Sequence, residues 1–223
     1  MNGSKRGFHM KVLITGANRG IGLALYDRYA AIGDDVIGTT RGQTPENWLQ
    51  LDVADPASVS AMAVRLKNQP LDLLVCNAGV YLDKGHELCN GYDANVWTDS
   101  FATNVTGVYL TIEALLPNLR AAGGKVAIIS SQMGSSERAG GNAFAYRASK
   151  AAALNLGRNL ALELSPDVAV GIYHPGWVKT DMGGTQASIT VEEASTGLIQ
   201  RFDALGVDTS GCFEMWNGEA MPY

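Results

Sequence analysis

Tyr146 and Lys150 stand four residues apart in the stretch Tyr146-Arg147-Ala148-Ser149-Lys150. If that stretch is helical, both side chains leave from one face. A phenol with a pKa near ~10 is a poor acid or base at neutral pH. A neighbouring ammonium favours the phenolate and draws the group towards the working range of a general acid or base. On its own the pair reads first as a partly buried aromatic beside a surface lysine, and only other motifs in register turn it towards catalysis. A second candidate is Thr15-Gly16-Ala17-Asn18-Arg19-Gly20-Ile21-Gly22. Its glycines permit a tight turn and let a pyrophosphate approach backbone N–H groups at a helix N-terminus, where the dipole favours negative charge. The spacing is G-x-x-x-G-x-G rather than G-x-G-x-x-G, and the plain alternative is a tight loop with no ligand.

Both candidates need elements to position them. Short apolar runs at Lys11–Thr15, Asp35–Thr39, Leu71–Cys76, Lys125–Ser130 and Val168–Tyr173 read as buried strands, rich in Val, Ile and Leu and bounded by Gly, Asp or Pro. Trp48–Asp52 is a weaker strand, and Gly211–Tyr223 reads as a final strand with Trp216-Asn217-Gly218 as a turn. Helices are predicted over Ile21–Ile32, Ala57–Lys67, Val96–Ala121, Ala145–Leu164 and Val191–Leu205. Val105, Val108, Ile112, Leu115, Leu116 and Leu119 form one helical stripe, as do Val59, Met62, Ala63 and Leu66. Asp55-Pro56 in front of the second supplies an N-cap and a proline at the first helical position. Strands alternating with helices predict an α/β fold: a single-domain, Rossmann-type, doubly wound parallel β-sheet of about seven strands with helices on both faces. The glycine turn then follows the first strand and opens the first helix. One domain is expected over 10–223, behind a disordered or extraneous leader at 1–9.

Composition removes other classes. The chain has 223 residues, 46% hydrophobic and 17% charged, with a net charge of -5 and a mean hydropathy of +0.00. This is the balance of a soluble chain with a sizeable core. No window reaches the roughly 18 apolar residues of a membrane span, and an acidic chain without basic runs is a poor general nucleic-acid binder. Cys76, Cys89 and Cys212 have neither disulfide-framework nor zinc spacing, so a reduced, cytoplasmic setting without a metal is expected. His174, ahead of Pro175, reads as a packed histidine rather than a catalytic one.

In order along the chain come the glycine turn, Asn77-Ala78-Gly79 after a strand, Asn104 in a long helix, Ser130-Ser131 ending a strand, Tyr146-x-x-x-Lys150, and Pro175-Gly176 with Thr180 beyond. This series resembles the short-chain dehydrogenase/reductase family over Val12–Thr180. The stretches Ser131-Gln-Met-Gly-Ser-Ser and His174-Pro-Gly-Trp-Val-Lys-Thr-Asp-Met look like its C-factor-like or sniffer-like carbonyl-reductase branch. Ser131 and Tyr146 lie 15 residues apart, somewhat more than is common in the wider family, and Ser130 and Ser135 remain lesser alternatives for the serine.

The resemblance implies that Tyr146 gives a proton to a carbonyl oxygen and that Ser131 hydrogen-bonds that oxygen. Lys150 would hold the nicotinamide ribose and lower the Tyr146 pKa, and Asn104 would support a water beside it. It also implies cofactor contacts from Gly16, Asn18, Arg19, Gly20, Ile21, Gly22, Asp52, Val53, Asn77, Ala78, Gly79, Tyr146, Lys150, Pro175, Gly176, Val178 and Thr180. NAD binders usually place an acid about 20 residues past the glycines. Here Gly38-Thr39-Thr40-Arg41-Gly42 offers no carboxylate, while Arg41 and Arg19 suit a 2′-phosphate, so NADP(H) is favoured over NAD(H). The short polar piece Asp181–Thr190 suggests an open site for small carbonyl or alcohol substrates, with Trp97 or Trp177 beside it. A homodimer or homotetramer is expected from the resemblance. Two rivals stand: an NADP-binding signalling or regulatory protein with little turnover, and an NAD-dependent alcohol dehydrogenase.

Overall fold

Alternate residues of the central strands divide between two cores. Val12, Ile14, Leu73 and Val75 pack on one face of the sheet with Leu25, Tyr29, Leu198 and Phe202. Leu13, Leu74, Cys76, Val126 and Ile128 pack on the other with Val59, Met62, Ile112, Leu115 and Leu119. A strand covered on both faces has no polar side, which is why these segments read as continuous apolar runs. The computed structural model describes residues 9–90 and 92–223; residues 1–8 of the expected leader lie outside the described residues.

In chain order the elements are β1 (Lys11–Ile14), α1 (Gly20–Ala31), β2 (Asp35–Thr40), β3 (Leu49–Gln50), α2 (Pro56–Arg65), β4 (Leu73–Cys76), α3 (Ala94–Phe101), α4 (Gly107–Ala122), β5 (Lys125–Ile129), α5 (Phe144–Glu163), β6 (Ala169–His174), α6 (Val191–Ala204) and β7 (Phe213–Met215). Among the described residues the strands form one sheet in the order β3-β2-β1-β4-β5-β6-β7. Every pairing in it is parallel. The chain leaves β1 towards β2 and returns on its other side at β4. That reversal opens a crevice at the carboxyl ends of β1 and β4.

The predicted elements are all present. Asp55 caps α2 through Ala57 N–H at 2.9 Å, with Pro56 in the first turn. The predicted helix over Val96–Ala121 is instead two helices, α3 and α4, joined by a π-helical turn at Ala102–Thr106. One extra residue per turn shifts the facing of everything after it, and such turns concentrate at functional sites. Asn104 sits in this turn and is fully buried.

Candidate active site

The glycine turn is locked to the turn after β4. Thr15 Oγ1 accepts from Asn77 N–H and Ala78 N–H, both at 3.0 Å. Asn77 Nδ2 donates to the carbonyls of Thr15 and Gly16, also at 3.0 Å. Gly16 and Gly20 have φ of 63° and 56°, left-handed conformations that favour glycine. A side chain on Gly22 would run into Gly16 O and Asn77 Nδ2. The start of α1 carries no side-chain cap and no acid in its first turn. Its free N–H groups and dipole therefore face the crevice, which is the arrangement that takes a phosphate.

The crevice has a volume of about 660 Å³, well within the range of small-molecule sites. Gly16, Asn18, Arg19, Gly20, Ile21 and Gly22 line it at one end, with Arg41, Asp52 and Val53 beyond and Asn77, Ala78 and Gly79 as floor. Tyr146, Lys150, Pro175 and Thr180 line the other end. Gly176 and Val178 do not line it. Gly176, at φ 89°, packs under Ile189 and Trp216, and buried Val178 pairs with Ile189, so both shape the turn from behind. Asp52 combines two roles, lining the crevice while its Oδ1 accepts from Ala54 N–H at 3.0 Å. The fit to a dinucleotide rests on the uncapped helix end and the side-chain-free floor. At Gly79 a Cβ would stand 3.2 Å from Asn104 Oδ1 and 3.4 Å from Lys150 Nζ.

Tyr146 and Lys150 lie in the first two turns of α5, buried and on one face. Ser131 does not itself line the crevice; its hydroxyl accepts from Met133 N–H at 3.1 Å and acts on the Tyr146 phenol to lower its pKa. Burial raises the Tyr146 pKa to about 12; the Ser131 hydroxyl opposes this, and the nearby Tyr81 and Asp83 add to it. The expected lowering by Lys150 does not prevail. Its ammonium lies 5.8 Å from the Tyr146 ring centroid and donates to Ile129 O at 2.9 Å. Burial brings Lys150 itself down to about 8. Ser130 faces the crevice, but its hydroxyl donates to Lys150 O at 3.2 Å. Ser135 is buried, and its hydroxyl has no partner among the described residues. Asn104 stands behind the floor: its side chain accepts from Val80 N–H and donates to Val80 O and Ser149 Oγ, each at 2.9 Å.

Sequence reasoning missed Thr40, Thr103, Lys179, Asp181 and Met182 on the crevice wall. Lys179 and Asp181 were visible only as the polar residues flanking Thr180. It also missed Tyr81, whose ring stacks on Tyr146 at 4.3 Å and 21°, and Asp83, a buried carboxylate from a segment that reads as polar loop. Arg19 bonds Asp181 at 2.7 Å across the mouth, whereas Arg41 makes no ion pair among the described residues. Trp177 and Trp97 do not line the crevice. Trp177 braces the short loop by donating to Gly183 O at 2.8 Å, and Trp97 lies near Tyr92.

Residues 10–189 match the short chain dehydrogenase family. The chain is 36% identical over 225 aligned residues to 1-hydroxy-2-glutathionyl-2-methyl-3-butene dehydrogenase of Rhodococcus sp. (strain AD45), covering 93% of this chain and 96% of that one. It is 35% identical to C-signal of Myxococcus xanthus over 73% of this chain and 99% of that protein. The structure of NADPH-bound carbonyl reductase from chicken fatty liver superposes with a TM-score of 0.88 at 31% identity, covering 96% of this chain and 99% of that one. These likenesses agree with the C-factor-like and carbonyl-reductase resemblance of the motifs. With a Rossmann-type sheet, a glycine turn at its crevice and a family match over most of its length, the chain belongs to the short-chain dehydrogenase family.

Proposed function

We propose that this protein is an NADP(H)-dependent oxidoreductase that reduces a small carbonyl compound. The observation that carries the reading is the placing of the Tyr146 phenol, with the Ser131 hydroxyl behind it, and Lys150 at the end of a crevice whose other end is an uncapped helix N-terminus. Bound there, the nicotinamide cofactor supplies hydride; the protein supplies position and electrostatics. Gly16, Gly20, Gly22 and the start of α1 would hold the pyrophosphate, and Asp52 and Val53 the adenine side. Lys150, already aimed along the floor, would hold the ribose. Arg41 and Arg19, with no carboxylate at the end of β2, would take the 2′-phosphate. The NADPH-bound avian carbonyl reductase supports that choice as a relative.

With a pKa near 12, the Tyr146 phenol is protonated throughout the neutral range. That is the form that donates a proton to a carbonyl oxygen as negative charge develops on it, with Ser131 orienting the oxygen. The free thiols of Cys76, Cys89 and Cys212 fit a reducing, cytoplasmic setting. No helix among the described residues is long and apolar enough to cross a membrane. Likeness to C-signal favours a second reading, an NADP-binding signalling or regulatory protein with little turnover.

Titration with NADPH and NADH, then a panel of carbonyl compounds with the preferred cofactor, separates these readings. NADPH is expected to bind more tightly, and Tyr146→Phe to lower turnover by about 10²–10⁴-fold while keeping cofactor affinity. Binding without turnover on any carbonyl favours the second reading. Tighter NADH binding would overturn the cofactor assignment.

A further inference from the structure

The helix that carries Tyr146 begins badly by its own sequence. Ala143 enters α5 at φ 50° and ψ 50°, and no side chain of the entry segment caps it. A non-glycine residue in that region is strained, and uncapped buried N–H groups destabilise the fold. The missing acceptor comes from 62 residues away. Asp83, 1% exposed, accepts from Ala145 N–H through Oδ2 at 2.8 Å and from Tyr146 N–H through both oxygens at 3.3 Å.

The segment that delivers Asp83 is itself fixed at both ends. Asn104 holds Val80 through its N–H and its carbonyl, and Tyr81 stacks on the Tyr146 ring. The residues from Val80 to Asp83 thus run from the π-helical turn, across the face of the phenol, to the backbone of the residue bearing it. We propose that Asp83 is a positioning residue for Tyr146, its carboxylate fixing the first turn of α5 and with it the place of the phenol in the crevice. Its importance for turnover rests on the reading of Tyr146 as proton donor. The charge has a second consequence. Tyr146 is faced by Lys150 on its own helix and by Tyr81 and Asp83 from the loop, with Arg147 acting on Tyr81. Asp83 is the negative member of this set and opposes formation of a phenolate.

Asp83→Asn keeps an acceptor oxygen and removes the charge, while Asp83→Ala removes both. In Asp83→Asn, kcat for carbonyl reduction is expected to fall about tenfold with NADPH affinity nearly unchanged, as small misplacements of a reacting group do. The alkaline limb of the kcat profile should move to lower pH, which a merely structural cap would not cause. Asp83→Glu should recover less than the native residue, because the longer side chain does not fit the same closed space. The ring resonance of Tyr146 in ¹³C-tyrosine-labelled protein, identified by its loss in Tyr146→Phe, reads the phenol's surroundings without turnover and should shift in Asp83→Asn. Should Asp83→Ala not fold, the Asn variant carries the test. An unshifted resonance in folded Asp83→Asn, with native kcat and pH profile, overturns the proposal. An active Tyr146→Phe overturns the proton-donor reading instead, and an unshifted resonance in Asp83→Asn then still overturns the positioning of the ring by Asp83.

Discussion

Ser130 and Ser131 are adjacent at the end of β5, yet their hydroxyls have different partners. Ser130 donates to Lys150 O, tying the end of the strand to the helix that carries the reactive pair. Ser131 meets the Tyr146 phenol. Ser131→Ala is therefore expected to remove a donor to the developing oxyanion and lower kcat by about 10²-fold with little loss of stability. Ser130→Ala should do the reverse, removing a buried hydrogen bond worth about 1 kcal/mol while turnover persists. Steady-state kinetics beside urea unfolding distinguish the two. A catalytic loss in Ser130→Ala alone would hand the orienting role to that residue. The two serines were legible as candidates because both end a strand before Tyr146-x-x-x-Lys150. Their division of labour was not, since it depends on which hydroxyl a backbone carbonyl already occupies.

At the scale of elements, the long strands and helices were legible because burial on two faces and on one stripe each leaves a period in the sequence. What escaped was produced by contacts between elements. The apolar stripe from Val105 to Leu119 gives no sign that the helix widens at Ala102–Thr106, where Asn104 bonds Val80 and Ser149 from other elements. Asp83 escaped for the same reason: a loop aspartate looks solvated until a helix 62 residues on lacks its cap. Immediately after the π-helical turn, Gly107 begins α4 with no room for a side chain. A Cβ there would lie 2.7 Å from Val53 O and 2.9 Å from Val53 Cβ. Val53 lines the crevice, so the helix and the floor must move apart or deform together. Gly107→Ala is expected to destabilise the fold by about 1–3 kcal/mol, as overpacking does, and to weaken NADPH binding through the displaced floor. Unfolding midpoint and cofactor titration measure both. Native affinity in a destabilised variant would show that Val53 is not held in place by this contact.

For the molecule as a whole, the carboxyl edge of the sheet gathers groups whose burial works against their charge. Lys150 is one: with its folded-state pKa lowered to about 8, its ammonium weakens the fold below that pH, and the penalty fades as pH rises towards 10.5, the ordinary lysine value. His174 is the other. It ends β6, pairs in register with Met215, and its Nδ1 is buried without a partner among the described residues. Burial, aided by the charge of Arg138, lowers its pKa from 6.5 to about 4. The folded protein therefore binds fewer protons than the unfolded chain between those values. Stability is complete above pH 6.5 and is lost as pH falls through the window, by up to about 3 kcal/mol from this residue. Urea unfolding between pH 7 and pH 4, both set by that window, reads the slope directly. His174→Gln should flatten it while leaving the unfolding of the native protein above pH 7 as the common reference. An unchanged slope in His174→Gln would place the acid sensitivity on the carboxylates instead, and would mean that the imidazole takes up its proton within the closed fold.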